Sequence, residues 1–144
     1  MQRCFIGDWN FLDSDVILDY FLDRKTFADR SQEIFMLAMN SKIKLFISSL
    51  SISNVDYLLK KKVGRIVSLY MIEDFCTFCG ILSVGEKEIL QAFKHNIKDF
   101  EDSIPYQAAL GNPEIKAIIS RNVMDYKKSQ IPVFSPEIFL SSFK

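Results

Sequence analysis

The apolar positions of the chain change period several times, and the changes mark out alternating strands and helices. Residues 9–12 form a short apolar run that ends in Asp13-Ser14-Asp15. A run of this length reads as a buried strand whose exit carries two carboxylates. Val16, Ile17, Tyr20 and Phe21 follow at helical spacing, and 23–25 is polar and turn-like. Thr26 stands where an N-cap would, with Asp29 in the first turn; Phe27, Ile34, Phe35 and Ala38 then predict a second helix, stopped by Asn40-Ser41. Residues 43–48 alternate and then turn apolar, as a second strand would. Ser51 or Ser53 caps a helix through Val55, Leu58 and Leu59, with Lys60, Lys61 and Lys62 near its end, where cations suit the helix dipole. Residues 65–79 predict a further helix with Ile66, Leu69, Ile72, Cys76 and Cys79 on one stripe and Gly80 as its C′ residue. A third strand is expected at 81–84 and a short helix at 86–93. Asp99-Phe100-Glu101-Asp102 opens a helix through Ala109, closed by Gly111-Asn112-Pro113. Short strands at 117–119 and 132–134 and a last helix at 136–143 complete the pattern.

Strands that alternate with helices imply right-handed βαβ crossovers. The expected architecture is a three-layer α/β/α fold around a central, mainly parallel sheet. No repeat, low-complexity run or linker divides the sequence, and 144 residues suit one domain spanning 1–144.

Composition sharpens this in a few places. Apolar residues make up 49% of the chain, thirteen of them Phe, which is enough for a core shared by a sheet and several helices. Most Phe and Tyr fall on apolar stripes and read as core rather than as base-stacking platforms. Eighteen basic residues balance eighteen acidic ones, so binding of naked nucleic acid through bulk charge is disfavoured and only local patches remain. Cys4, Cys76 and Cys79 do not make a disulfide framework. Cys76-Thr77-Phe78-Cys79 has C-x-x-C spacing, but it lies on an apolar stripe without a second pair or a neighbouring His, and reads as core packing. His95, the single histidine, falls in a polar connection and reads as solvent-exposed. The first eight residues are too polar for a secretory segment, and no apolar run reaches membrane-spanning length. The expectation is a soluble, cytoplasmic protein with no membrane partner.

The carboxylates carry the candidate chemistry. In open α/β sheets, ligand sites form outside the carboxyl ends of the strands. Asp13 and Asp15 leave the first strand there, Asn122 and Asp125 follow the strand at 117–119, and Asp102 opens the helix leading to that strand. Acids gathered at one spot repel each other, and a hard divalent cation such as Mg²⁺ relieves that repulsion. The bland alternative is that each acid merely caps or faces a helix N-terminus.

Three segments resemble blocks of the PIN domain family. Phe11-Leu12-Asp13-Ser14-Asp15-Val16-Ile17-Leu18-Asp19 resembles its opening strand motif. Asp99-Phe100-Glu101-Asp102-Ser103 through Ala108-Ala109 resembles its third block. Ile118-Ile119-Ser120-Arg121-Asn122-Val123-Met124-Asp125-Tyr126, with Ile131-Pro132-Val133 and Pro136-Glu137, resembles its closing block. The family includes the VapC-like toxin ribonucleases of toxin–antitoxin pairs. The resemblance implies a five-stranded parallel sheet, a Mg²⁺ or Mn²⁺ site, single-stranded RNA as substrate, a homodimer and an antitoxin partner. It further implies Asp13, Asp102 and Asp125 as metal-binding catalytic acids, with Ser14 and Asn122 orienting ligands or the phosphate. The sequence departs from the family at Asn54, where a Glu is usual; Asp56 points to another helix face, whereas Asp99 shares a face with Asp102 and is a substitute acid. Pro105 is tolerated only in a first helical turn. Arg24, Lys25, Arg121, Lys127 and Lys128, near the acidic rim, are the candidates for holding an RNA backbone, ahead of the basic run Lys60–Lys62 with Arg65.

Two functions compete on this evidence: a Mg²⁺- or Mn²⁺-dependent endoribonuclease, and a catalytically weak or inactive PIN-like module that binds RNA or a protein. The acids at 13, 102 and 125 favour the first and Asn54 the second. A phosphoacceptor receiver domain would need an acceptor Asp at a later strand end, but the third strand runs out into Val84-Gly85.

Overall fold

The computed structural model describes residues 8–97 and 99–142; Cys4 and Phe143 lie outside them. Among the described residues, five strands form one sheet in the order β3-β2-β1-β4-β5. The strands are β1 (Trp9–Leu12), β2 (Lys44–Ser48), β3 (Cys79–Leu82), β4 (Ile115–Ile119) and β5 (Val133–Phe134). Every neighbouring pair is parallel. The helices are α1 (Ser14–Phe21), α2 (Ala28–Met39), α3 (Ser49–Val63), α4 (Arg65–Phe75), α5 (Glu86–Lys94), α6 (Phe100–Leu110) and α7 (Pro136–Ser141), with a 3₁₀ turn at Val123–Tyr126. None of them is long and apolar enough to cross a membrane.

The two-residue period of the strands builds the three layers. In β1, Leu12 faces a core with Val16, Ile17, Ile34, Phe35 and Phe139, whereas Phe11 faces a second core with Tyr106, Ala109, Ile118 and Tyr126. In β4, Ile119 and Ile118 divide in the same way. Strand β1 is central, paired to β2 on one side and β4 on the other. The side-chain amide of buried Asn10 donates to the carbonyls of Asp8 (3.0 Å) and Lys44 (3.3 Å), tying the start of β1 to β2. The larger core holds an aromatic cluster in which Phe75 meets Phe35 and Phe78 edge-on, each at 5.1 Å between centroids.

Several local expectations shift. Thr26 does not cap α2; it takes a left-handed φ of 70° in the preceding turn, and the helix begins at Ala28. Neither Ser51 nor Ser53 caps α3. The last strand residue, Ser48, does so, accepting from the Ser51 N–H at 3.1 Å, because strand and helix join without a loop. Helix α4 ends at Phe75 rather than 79. Thr77 turns back to the Asp74 carbonyl through its hydroxyl (2.7 Å) and its N–H (3.0 Å), and Cys79 starts β3 beside Leu45. Cys79 is therefore a buried strand residue, and burial pushes the thiols of Cys79 and Cys76 up, as suits inert core packing. Pro105 lies at the sixth position of α6, past the first turn, where it leaves the Glu101 carbonyl without its helical donor.

Gly80 belongs to β3 and does not terminate a helix. The Phe46 ring, stacked on Trp9 at 4.4 Å, lies directly over it, and a Cβ there would come within 2.5 Å of that ring. Gly80→Val improves intrinsic strand propensity yet should destabilise the protein by about 1–3 kcal/mol, because the ring has to leave its place. A lower urea midpoint at unchanged m-value would show this, and an unchanged midpoint would refute it.

Candidate active site

All five strands point the same way, so their carboxyl ends share one edge of the sheet. Helices α1 and α3 begin at that edge, and so does α6, which runs back across the sheet to feed β4. The acids expected from the sequence lie on these elements.

Asp13 occupies the N-cap position of α1 with extended backbone (ψ 144°), yet its carboxylate makes no capping bond. Its Oδ2 instead accepts from the Ser120 hydroxyl (2.8 Å) and the Tyr126 hydroxyl (3.0 Å). Its N–H donates to the Ile119 carbonyl at 3.0 Å, which joins the exits of β1 and β4. The capping explanation for this acid therefore fails. Ser14 opens α1 beside it. Asp15 follows in the first turn, where its Oδ2 accepts from the Asn122 side chain at 2.8 Å. The other oxygen, Oδ1, is buried without a hydrogen-bond partner among the described residues.

Asp102 sits in the first turn of α6, and its charge is felt at the Tyr126 hydroxyl. Asp99 is the N-cap of that helix, its carboxylate accepting from the Asp102 N–H at 3.0 Å. It thus orients the turn that carries Asp102. Asp125 lies in the 3₁₀ turn next to Tyr126, its N–H donating to the Asn122 carbonyl at 3.0 Å. Asn54 lies in the second turn of α3 and is exposed.

Two residues with no role assigned from the sequence organise this edge. Asp19 is only 1% exposed and is held by both sides of the Arg121 guanidinium, Nε to Oδ2 at 2.9 Å and Nη2 to Oδ1 at 3.0 Å. Arg24 adds a contact at 3.2 Å, and the Arg121 guanidinium stacks over Phe27 at 4.2 Å. Arg121 and Arg24 are thus committed to Asp19, whereas Lys25, Lys127 and Lys128 are exposed. The lysines of the 60–62 run also meet the protein's own surface. Lys62 donates to the Leu22 carbonyl at 2.8 Å, Lys60 pairs with Asp56 at 3.8 Å, and Lys61 covers the Tyr57 ring at 4.1 Å. The second unforeseen residue is Tyr126. Burial first, then the charges of Asp13, Asp15 and Asp102, push its phenol up, so it stays a proton donor to Asp13. The available signals were an acid inside the apolar run of α1 and a Tyr next to Asp125.

The same crowding acts on Asp15. Burial and then the Asp13 charge push its carboxyl up to about 7, against the pull of Arg121. An all-oxygen donor set, mutually repelling acids and an orphaned buried Asp15 oxygen fit a hard divalent cation. Among the described residues no three His, Cys, Asp or Glu are close enough to hold an ion by themselves.

A family model described as PIN domain matches residues 10–124. Ribonuclease VapC1 of Aquifex aeolicus (strain VF5) is 28% identical over 134 residues, covering 90% of this chain and 91% of that one. The structure of VapBC2 from Rickettsia felis bound to a DNA fragment from their promoter superposes with a TM-score of 0.67 at 12% identity, over 88% of this chain and 98% of that one. A toxin–antitoxin complex from Klebsiella pneumoniae gives 0.60 at 16% identity, over 88% and 97%. At such identities the two structures speak for the fold alone.

The raised Asp15 carboxyl sets a pH dependence. The folded protein holds this proton more tightly than the unfolded chain, whose carboxyl titrates near 3.8, so stability falls as pH rises from about 4 through about 7. In metal-free buffer, Asp15→Asn should remove that loss while keeping an acceptor for Asn122. The melting temperature of the variant should exceed wild type by about 3 °C or more at pH 8 and match it near pH 4. Parallel melting curves at all pH values would refute the assignment.

Proposed function

Because the chain belongs to the PIN domain family, we infer that its acidic edge is the active centre of a Mg²⁺- or Mn²⁺-dependent endoribonuclease. The observation that carries this reading is Asp13, turned away from the helix it precedes and held by Ser120 and Tyr126 beside the unpartnered oxygen of Asp15. A structural cap would have its carboxylate on the helix N–H groups. The name of the Aquifex relative supports a ribonuclease, and the Klebsiella complex, by its name, suits a toxin governed by an antitoxin; a cytoplasmic location is part of the same proposal. Single-stranded RNA is the proposed substrate.

Asp13 and Asp102 would hold the cation, with Asp125 reaching it through water. When bound, the ion supplies a more acidic water and neutralises charge on the phosphoryl group. The chain's own residues do the remaining work. Ser120 and Tyr126 fix the Asp13 carboxylate, and Asn122 fixes Asp15. Ser14 and Asn122 lie beside the proposed path of the phosphate, and Lys25, Lys127 and Lys128 are exposed cations for the RNA backbone. A second reading rests on Asn54. With an amide where the family carries a Glu, the chain would bind RNA or a protein and cut poorly.

Asp13→Asn should lower RNA cleavage by about 100-fold or more, roughly 2.7 kcal/mol in the barrier, with an unchanged far-UV spectrum. EDTA should do the same to wild type. Cleavage that survives either treatment rules out the mechanism. Asn54→Glu should tighten Mn²⁺ binding on the order of tenfold, since ligand charge governs affinity for a hard dication. Unchanged calorimetry would put Asn54 outside the site, and tighter metal without faster cleavage would favour the binding module.

A homodimer belongs to the same reading. Helix α2 exposes Met36 and Met39, and α3 exposes Tyr57 and Leu58, and part of this apolar surface is the proposed seam. Light scattering at micromolar concentration should give twice the chain mass, and a monomer there would count against it.

A further inference from the structure

Along α6 from the acidic edge lies a hollow of the opposite character. It encloses about 500 Å³ and is lined by Lys94, His95, Asn96, Gln107, Lys128 and Gln130, with Tyr106 among its walls. None of its described lining residues is acidic. In a chain of zero net charge this is a local cationic, amide-rich site, of the size small-ligand pockets have. It adjoins the acids through α6. Tyr106 is four residues, about one helical turn, beyond Asp102, roughly 6 Å along the axis. Tyr106 is also bonded through its hydroxyl to the Gln130 N–H at 2.8 Å and lies 6.4 Å from the Tyr126 ring.

The two helices that wall the hollow, α5 and α6, also contribute an aromatic pair. Phe93, next to Lys94, and Phe100, seven residues before Gln107 and so on its helix face, stack at 4.7 Å between centroids and 24° between planes. They are 65% and 39% exposed. Phenyl rings that stack in solvent offer a flat apolar surface, and the flanking Asp99 and Glu101 would repel a phosphate there but tolerate a neutral base. Lys94 and Lys128 have the opposite preference.

We propose that the hollow and the Phe93–Phe100 pair form a subsite for a nucleotide of single-stranded RNA flanking the cleaved bond. Its base stacks on the phenyl pair, and its phosphate lies between Lys94 and Lys128. Stacking platforms beside cationic grooves are how proteins hold unpaired strands. The subsite rests on the ribonuclease reading of the acidic edge and names where that substrate extends.

The test is fluorescence anisotropy of a labelled single-stranded RNA octamer with the full chain in EDTA. Phe93→Ala and the double variant Lys94→Ala/Lys128→Ala should each weaken binding about fivefold to tenfold. The double variant should also reduce the slope of log affinity against log salt by about 0.7, the one single-strand phosphate contact that both lysines share. The charge-matched control Lys61→Ala/Lys116→Ala should stay within about twofold of wild type. All the substituted side chains are exposed except for their cavity contacts, and circular dichroism reports any loss of fold. If both test variants bind and cut RNA as wild type does, the subsite is wrong and the ribonuclease reading stands. If wild type neither binds nor cuts RNA with Mn²⁺ present, both fall.

Discussion

Asp13, Asp15 and Asp19 leave β1 within seven residues, and the Asp19–Arg121 pair is what lets that stretch of chain fold against the end of β4. Two carboxylates a few ångströms apart repel strongly wherever water is excluded. Asp19, at 1% exposure, is the one with least access to solvent, and it is the one met bidentately by a guanidinium. Such a pair adds little net stability, but removing one partner strands the other charge at a cost of about 3–5 kcal/mol. It therefore acts as a latch. By fixing Arg121 it fixes the residues on either side, so that Ser120 reaches Asp13 and Asn122 reaches Asp15. The order of the acidic edge follows from a bond made behind it.

This dependence explains what the sequence could disclose. Alternating strands and helices were legible because burial on each face is a local periodicity, and β1 falls where its apolar run predicts. The acids at strand exits were legible because topology alone brings parallel strand ends together. The errors came where a tertiary contact overrides a local signal. Gly80 looks like a helix stop, but it is a strand glycine because the Phe46 ring covers it. Ser48 outranks Ser51 and Ser53 as a cap because β2 runs straight into α3. Asp19 and Tyr126 gained their roles from partners about a hundred residues away, Arg121 and Asp13, for which no spacing rule exists. Phe93 and Phe100 carried the opposite difficulty, since Phe-rich stripes suggest core and these two rings stand in solvent.

Asn122 meets Asp15 as a neutral amide, and Arg121 adds a positive charge nearby. Asp15 nonetheless remains crowded enough for its carboxyl to sit near 7. The crowding is therefore concentrated in the half-buried pair Asp13–Asp15. On the proposed function, a cation entering there would be held by Asp13 from the end of β1 and by Asp102 from α6.

Helix α6 separates two kinds of surface that a substrate strand would need together. Its first turn presents Asp102 toward Tyr126 and the acids, and its next turns present Tyr106 and Gln107 to the cationic hollow. An RNA strand drawn only by the acids' metal would gain little from a protein of zero net charge. One drawn only by lysines would have no reason to place its phosphodiester at Asp13. On the proposed function, a helix that carries both features within two turns would set the distance between the anchored nucleotide and the cleaved bond. In that arrangement the choice of bond would be governed by the length of chain between a stacked base and the acidic edge, and so by α6 itself.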